Sequence, residues 1–139
     1  MNYWLLKTEP STYSWDDLVR DTKEKGGEEW SGVRNYEARN NMRKMKKGDQ
    51  VFIYHSVDEK CIVGIGKIVK EAHSDSTDPT GVWDCVDVAA VHPLKQRVTL
   101  GEIKHLPGCE EMVLLKKGRL SVQPVTEGEW EVIVNVDVQ

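Results

Sequence analysis

This sequence predicts a small α+β fold, its strands curling into a mixed β-barrel with short helices at the periphery. Three observations carry that reading. Apolar, β-branched runs recur along the chain with polar punctuation between them. The helical patterns among them are short and irregularly placed, so the regular strand–helix alternation of a doubly wound sheet is missing. No Gly-rich phosphate loop of the GxGxxG or GxxxxGK[S/T] kind follows any strand. At 139 residues, the whole span 1–139 reads as one domain. A chain of that size buries about two-thirds of its unfolded surface and needs no disulfide or metal staple.

Residues 3–7 form the opening strand, which Pro10 ends because it cannot donate to a ladder. Ser14 is placed to cap a short helix reaching about Arg20, with Asp16 and Asp17 in its first turn and Trp15, Leu18 and Val19 on one face. Residues 21–29 read as a charged loop leading into Trp30. A second helix over 36–46 shows Ala38, Met42 and Met45 at i, i+4 and i+7, a narrow buried stripe. A Gly48-Asp49 turn precedes a largely buried strand at 50–56.

A polar turn at 57–60 leads to a long strand over 61–72. Its Gly64 and Gly66 leave room on one face, for a barrel bend or for close approach of another group. Residues 73–81 are an irregular loop, and a third β segment spans 83–92. Thr99 with Glu102, and Thr126 with Glu129, have capping-box spacing and open short helices. Between them lie a helical turn within 110–117 and a strand at 121–125.

A net charge of −4 argues against a protein that coats nucleic acid without specificity. A local basic run nevertheless exists: Arg34, Arg39, Arg43, Lys44, Lys46 and Lys47 stand against Glu37 and Asp49. It is either a solvated helix face or a set of phosphate contacts. Cys61, Cys85 and Cys109 are isolated, with no zinc spacing to one another or to His, which predicts reduced cysteines, no metal and an intracellular protein. The opening apolar run is too short for a signal peptide core or a membrane span.

Residues 30–56 hold the candidate site. Trp30, Ser31 and Asn35 supply an indole, a hydroxyl and an amide, while the end of the next strand delivers Tyr54, His55 and Ser56. Such a set suits a pocket for a flat polar ring. The same residues also fit a buried core Trp30 and a helix-capping Asn35. Signals for catalysis are sparse. None of the four histidines lies in an HExxH, HxE or HRD context, and no GxSxG elbow occurs. Binding without enzymatic activity or cofactor is the reading the residues favour.

Several motifs in order carry a family resemblance across nearly the whole chain. They are residues 3–10 (YWLLKTEP), 30–40 (WSGVRNYEARN), 45–49 (MKKGD), 54–56 (YHS), 63–66 (VGIG) and 119–125 (RLSVQPV). The chain resembles an EVE domain of the PUA-like superfamily, to which the YTH and ASCH domains also belong, and is similar to the small stand-alone EVE proteins of the thymocyte nuclear protein group. The resemblance implies a PUA-like barrel whose pocket accepts a modified base flipped out of nucleic acid, a modified cytosine of DNA foremost. It implies that Trp30 walls the cage and that Ser31, the backbone of Val33 and Asn35 contact the base edge. Tyr54, His55 and Ser56 would line the opposite side, with Gln123 approaching from the late strand and Trp83 as second aromatic wall. Arg34, Arg39, Arg43 and Arg119 would meet phosphates. The expected protein is a monomer, cytoplasmic in a bacterium or nuclear in a eukaryote. The alternatives are an RNA-binding or RNA-maturation module of the PUA type and a small hydrolase using His55.

Overall fold

The structure, a computed structural model, describes residues 1–138. Its strands are β1 (Tyr3–Thr8), β2 (Glu28–Glu29), β3 (Gln50–His55), β4 (Cys61–Ser74), β5 (Asp84–Thr99) and β6 (Val122–Val125). They form one sheet in the order β2-β5-β4-β3-β1-β6. The helices are α1 (Trp15–Lys25), α2 (Tyr36–Lys44), α3 (Leu100–Ile103), α4 (Val113–Lys116) and α5 (Glu127–Val138).

The sheet is not the closed barrel expected from sequence. Closure would require a ladder between β2 and β6, which instead stand at opposite ends of the strand order. The sheet buries both of its faces under helices. In β3, Val51, Phe52, Ile53 and Tyr54 are all buried, and side chains alternate between faces along a strand. Val51 and Ile53 join Trp4, Leu6, Trp15, Leu18, Ala38 and Met42 in a core beneath α1 and α2. Phe52 and Tyr54 join Leu5, Ile62, Ile103, Leu114, Trp130 and Ile133 in a second core beneath α3, α4 and α5.

Two element boundaries differ from expectation for identifiable reasons. The charged stretch after Arg20 continues α1 to Lys25, and Gly26 ends the helix in the left-handed conformation that glycine adopts without strain. Asp21 belongs to the helix because its carboxylate turns inward to accept the Tyr13 hydroxyl at 2.7 Å. The third β segment runs on to Thr99 through Pro93, which pairs with Gly64 beside a break in the β4–β5 register.

The paired glycines of β4 make room for neighbours, as the sequence allowed. A Cβ on Gly64 would lie 2.5 Å from the Trp15 indole, and one on Gly66 would lie 2.8 Å from the Ala89 carbonyl oxygen. The expected capping boxes are present at Thr99–Glu102 and Thr126–Glu129. Among the described residues no helix is long and apolar enough to cross a membrane.

Candidate functional site

A cavity of about 580 Å³ opens where the ends of β1 and β2 meet the segment after Trp30. That is the size of a pocket for a small organic ligand. Trp30 lies in the upper core, 7% exposed, yet one side of it lines the cavity, so it is both a core residue and a wall. Tyr13 supplies a second aromatic surface, its ring edge-on to Trp30 with centroids 6.1 Å apart. The polar lining comes from Thr8, Thr12, Ser31, Ser76 and Ser121, with Lys7 and Arg34 as cations and Glu9, Glu28 and Glu29 as anions. Burial lowers the Lys7 pKa, and its ammonium donates to the Gly118 carbonyl beside the cavity.

One carboxylate fixes the wall. The Asp75 side chain is fully buried and accepts from the Gly32 N–H at 2.8 Å and from Arg34 Nη1 at 3.1 Å. Its other oxygen accepts from the Thr77 N–H at 2.8 Å and the Thr77 hydroxyl at 2.6 Å. Burial pushes the Asp75 pKa up, but the bonds from Thr77, Gly32 and Arg34 together outweigh it and hold the group below its ordinary value. At the other end of the segment the Trp30 N–H donates to the Val86 carbonyl at 2.8 Å. Gly32 takes φ +83°, so the turn that brings its N–H to Asp75 favours glycine. Residues 30–34 are thus pinned at both ends while Ser31 and Val33 face the cavity.

Asp75 and Tyr13 were not read as site residues from sequence. A local sign of the first exists: Asp75-Ser76-Thr77 and Asp78-Pro79-Thr80 repeat one Asp-x-Thr pattern, and each Asp accepts both the N–H and the hydroxyl of its Thr. In the second copy the hydrogen bond from the Thr80 side chain, then that from the Trp83 backbone, bring the Asp78 pKa down to about 2. The Asp78 bond to the Trp83 N–H, at 2.9 Å, sets the position of that indole.

The structure brings Trp30, Ser31, Val33 and Arg34 together around the cavity and leaves the other candidates outside its lining. Asn35 is the N-cap of α2, its side-chain oxygen accepting the Ala38 N–H at 2.9 Å. Tyr54 packs in the core on the other face of the sheet, and Gln123 pairs across the ladder with Leu5 on that same face. The Gln123 amide nitrogen donates to the Lys117 and Leu120 carbonyls, while its Oε1 finds no partner among the described residues. His55 is 3% exposed: its Nε2 accepts the Trp15 N–H at 3.0 Å and its Nδ1 donates to Glu59 at 2.8 Å. Ser56 donates its N–H to the Thr8 carbonyl, one residue past β3.

Trp83 stands beside the cavity, packed at a tilt of 33° against the exposed Tyr36 with centroids 4.8 Å apart. Arg39 lies over both rings, at 4.9 and 5.7 Å, and Arg34 lies 5.8 Å from the Trp83 ring. Arg43 pairs with Asp84 at 2.7 Å. Arg119 lines a smaller neighbouring cleft with Asn35, Glu37, Lys117, Gly118 and Leu120.

The fold is an open sheet covered on both faces, with an aromatic and hydroxyl-lined cavity at the strand ends. The chain belongs to the EVE domain family, whose model matches residues 2–136. It is 36% identical to thymocyte nuclear protein 1 of Mus musculus, over 98% of this chain and 74% of the mouse protein. A Rhodopseudomonas palustris protein solved by NMR is 46% identical, with a TM-score of 0.92 over 99% of this chain and 94% of that one. The human THYN1 protein, solved in complex with 5-methylcytosine containing DNA, is 34% identical. Its TM-score is 0.92, with 100% of this chain and 99% of that chain covered.

Proposed function

We propose that this chain is a non-enzymatic reader of nucleic acid that holds one flipped-out base, a modified cytosine of DNA foremost, in the cavity walled by Trp30 and Tyr13. The observation that carries this is the cavity itself: two aromatic surfaces, a row of hydroxyls and a backbone segment immobilised by Asp75. The DNA-bound human relative supports the choice of ligand. Flipping a base costs a few kcal/mol, which stacking and hydrogen bonds to the base edge offset. Pinning residues 30–34 before binding spares the entropy of ordering them in the complex.

In this reading Trp30 and Tyr13 form the walls, while Ser31, Ser121 and the backbone of Val33 meet the base edge. The Tyr36–Trp83 pair, with Arg34 and Arg39 over its rings, receives the flanking nucleotides through stacking and phosphate contact. Arg119 and Lys7 supply positive charge on the other rim. His55, with both nitrogens committed to holding α1 and Glu59, serves the fold rather than a reaction.

The test is a binding panel of short single- and double-stranded DNA and RNA carrying cytosine, 5-methylcytosine and N6-methyladenine. DNA with modified cytosine should bind tightest. One extra methyl group in a fitted apolar slot is worth about 1–3 kcal/mol, or roughly tenfold to a couple of hundredfold over cytosine. Trp30→Phe, which keeps most of the packing, should lower that preference while the protein stays folded. RNA binding with no response to DNA would move the assignment to an RNA module.

A further inference from the structure

Three strands at one edge of the sheet bring together ligand-type side chains, of which only Glu29 also reaches the lining of the base cavity. Ladder pairing sets Glu29 of β2 against Asp87 of β5, and His73 of β4 against Cys85 of β5. Residues 85 and 87 share a face of β5, because side chains repeat every second residue. Cys85 Sγ lies 3.3 Å from Glu29 Oε1, and 3.8 and 4.0 Å from His73 Nε2 and Nδ1. Donor atoms of all three residues lie within 4.8 Å of one another.

Those spacings are close to the edges of a coordination tetrahedron. Zinc bonds of about 2.3 Å to sulfur and about 2.0–2.1 Å to nitrogen or oxygen put sulfur roughly 3.5 Å from each neighbouring ligand. The edges from sulfur to Glu29 Oε1 and to His73 Nδ1, 3.3 and 4.0 Å, straddle that figure. Thiolate, imidazole and carboxylate together suit zinc rather than magnesium or calcium. An outer partner is also in place, since Asp87 Oδ1 lies 2.8 Å from His73 Nε2. A carboxylate on the distal nitrogen is the usual support of a metal-bound histidine. It leaves Nδ1, now 3.1 Å from the Ser74 carbonyl, to face the ion.

Local charge points the same way. Glu29 Oε1 lies 3.3 Å from the fully buried Cys85 thiol and Asp87 holds the adjoining His73, so two carboxylates stand where a cation would sit. Glu29 also accepts from the Ser76 N–H and hydroxyl, so its carboxylate is already oriented.

We propose that Glu29, His73 and Cys85 form a zinc-type divalent cation site, with Asp87 orienting His73 and a fourth position open to water. On binding, the sulfur–metal bond forms and the thiol proton passes to solvent. The ion clamps β2, β4 and β5 at the point where Glu29 leads into Trp30 and Ser76 follows Asp75. The site does not depend on the base-reading assignment.

The experiment is titration of the chelator-treated full chain with Co²⁺, read by absorbance. The expected result is a thiolate-to-cobalt charge-transfer band with tetrahedral d–d bands, saturating at one equivalent and displaced by Zn²⁺. Cys85→Ser should abolish the charge-transfer band, whereas Cys61→Ser and Cys109→Ser keep it. His73→Gln should weaken binding at least tenfold, and Asp87→Asn about tenfold or more. Absence of the band in the unaltered chain, or its survival in Cys85→Ser, overturns the proposal. If Cys85→Ser does not fold, Glu29→Gln and His73→Gln decide instead, and an unchanged band in both overturns it as well.

Discussion

The segment around Ser31 and the segment around His55 look alike in sequence: each sets a hydroxyl and other polar groups beside an aromatic residue at the end of a β element. The fold uses them differently. After Trp30 the polar pinning is done by a distant residue, Asp75, which takes the Gly32 N–H and leaves Ser31 and Val33 facing open space. At His55 the side chain does the pinning, spending one nitrogen on the Trp15 N–H and the other on Glu59. A residue type says what bonds are possible, and only the neighbours decide whether any are left over for a ligand.

That contrast is most strongly exposed by Asp75→Ala. It strips charge-assisted bonds from Gly32, Arg34 and Thr77 and should cost about 2–4 kcal/mol in chemical denaturation, the size of loss typical when a buried hydrogen-bond network is broken, since the freed Thr77 and half-exposed Arg34 groups can turn to water. Base affinity should fall further than stability alone explains. His55→Ala should cost less, about 1–3 kcal/mol for an orphaned buried N–H, and leave affinity per folded molecule unchanged. Equal losses of affinity in the two variants would erase the distinction.

Acid offers a second way to separate the regions. The Asp75 pKa is depressed below its ordinary 3.8, so its contribution is complete above that pH and disappears as pH falls through the lower folded value. Amide exchange at Gly32, taken relative to the intrinsic rate at each pH, should therefore stay slow from pH 7 to pH 5 and quicken only below about pH 4, set by that 3.8. Asp75→Asn should quicken it at every pH.

The exposed aromatic pair gives a smaller, cleaner effect. Tyr36→Ala should change stability by no more than about 0.5 kcal/mol. It should weaken oligonucleotide binding by about 1–3 kcal/mol if a base stacks there, and leave binding of the isolated modified nucleoside alone. Smallest of all, Arg39→Ala and Arg43→Ala should each lower the salt dependence of binding by about one unit, equally for every sequence. An unchanged slope for Arg43→Ala would mean that its pairing with Asp84 is its whole role.

Much of the frame was legible because its signals are local. Ser14, Thr99 and Thr126 announce helix starts through their own spacing to an acidic residue, and the Ala38/Met42/Met45 stripe is buried as its period predicts. The barrel was not, because closure depends on whether β2 and β6 meet, a relation between distant segments. The site divided along the same line. Trp30, Ser31, Val33 and Arg34 lie within five residues of one another and line one cavity. Tyr54 and Gln123 were read toward the cavity because sequence shows that a strand has two faces without saying which one a pocket uses. Asp75 acts across more than forty positions on Gly32, and no spacing along the chain reports that.

The position of β1 bears on how the molecule comes to exist. Its six residues pair with β3 on one side, and the first four of them pair with the later strand β6 on the other, Tyr3 opposite Val125. Contacts between such distant positions form slowly, since the intervening chain must be drawn together first. The cavity has the same dependence, because Lys7 and Thr8 line it alongside Ser121. On a ribosome, a growing chain stopped before residue 121 would have Trp30 and Asp75 available yet lack part of the cavity wall. The complete lining would then need both β1 and the segment that reaches Ser121.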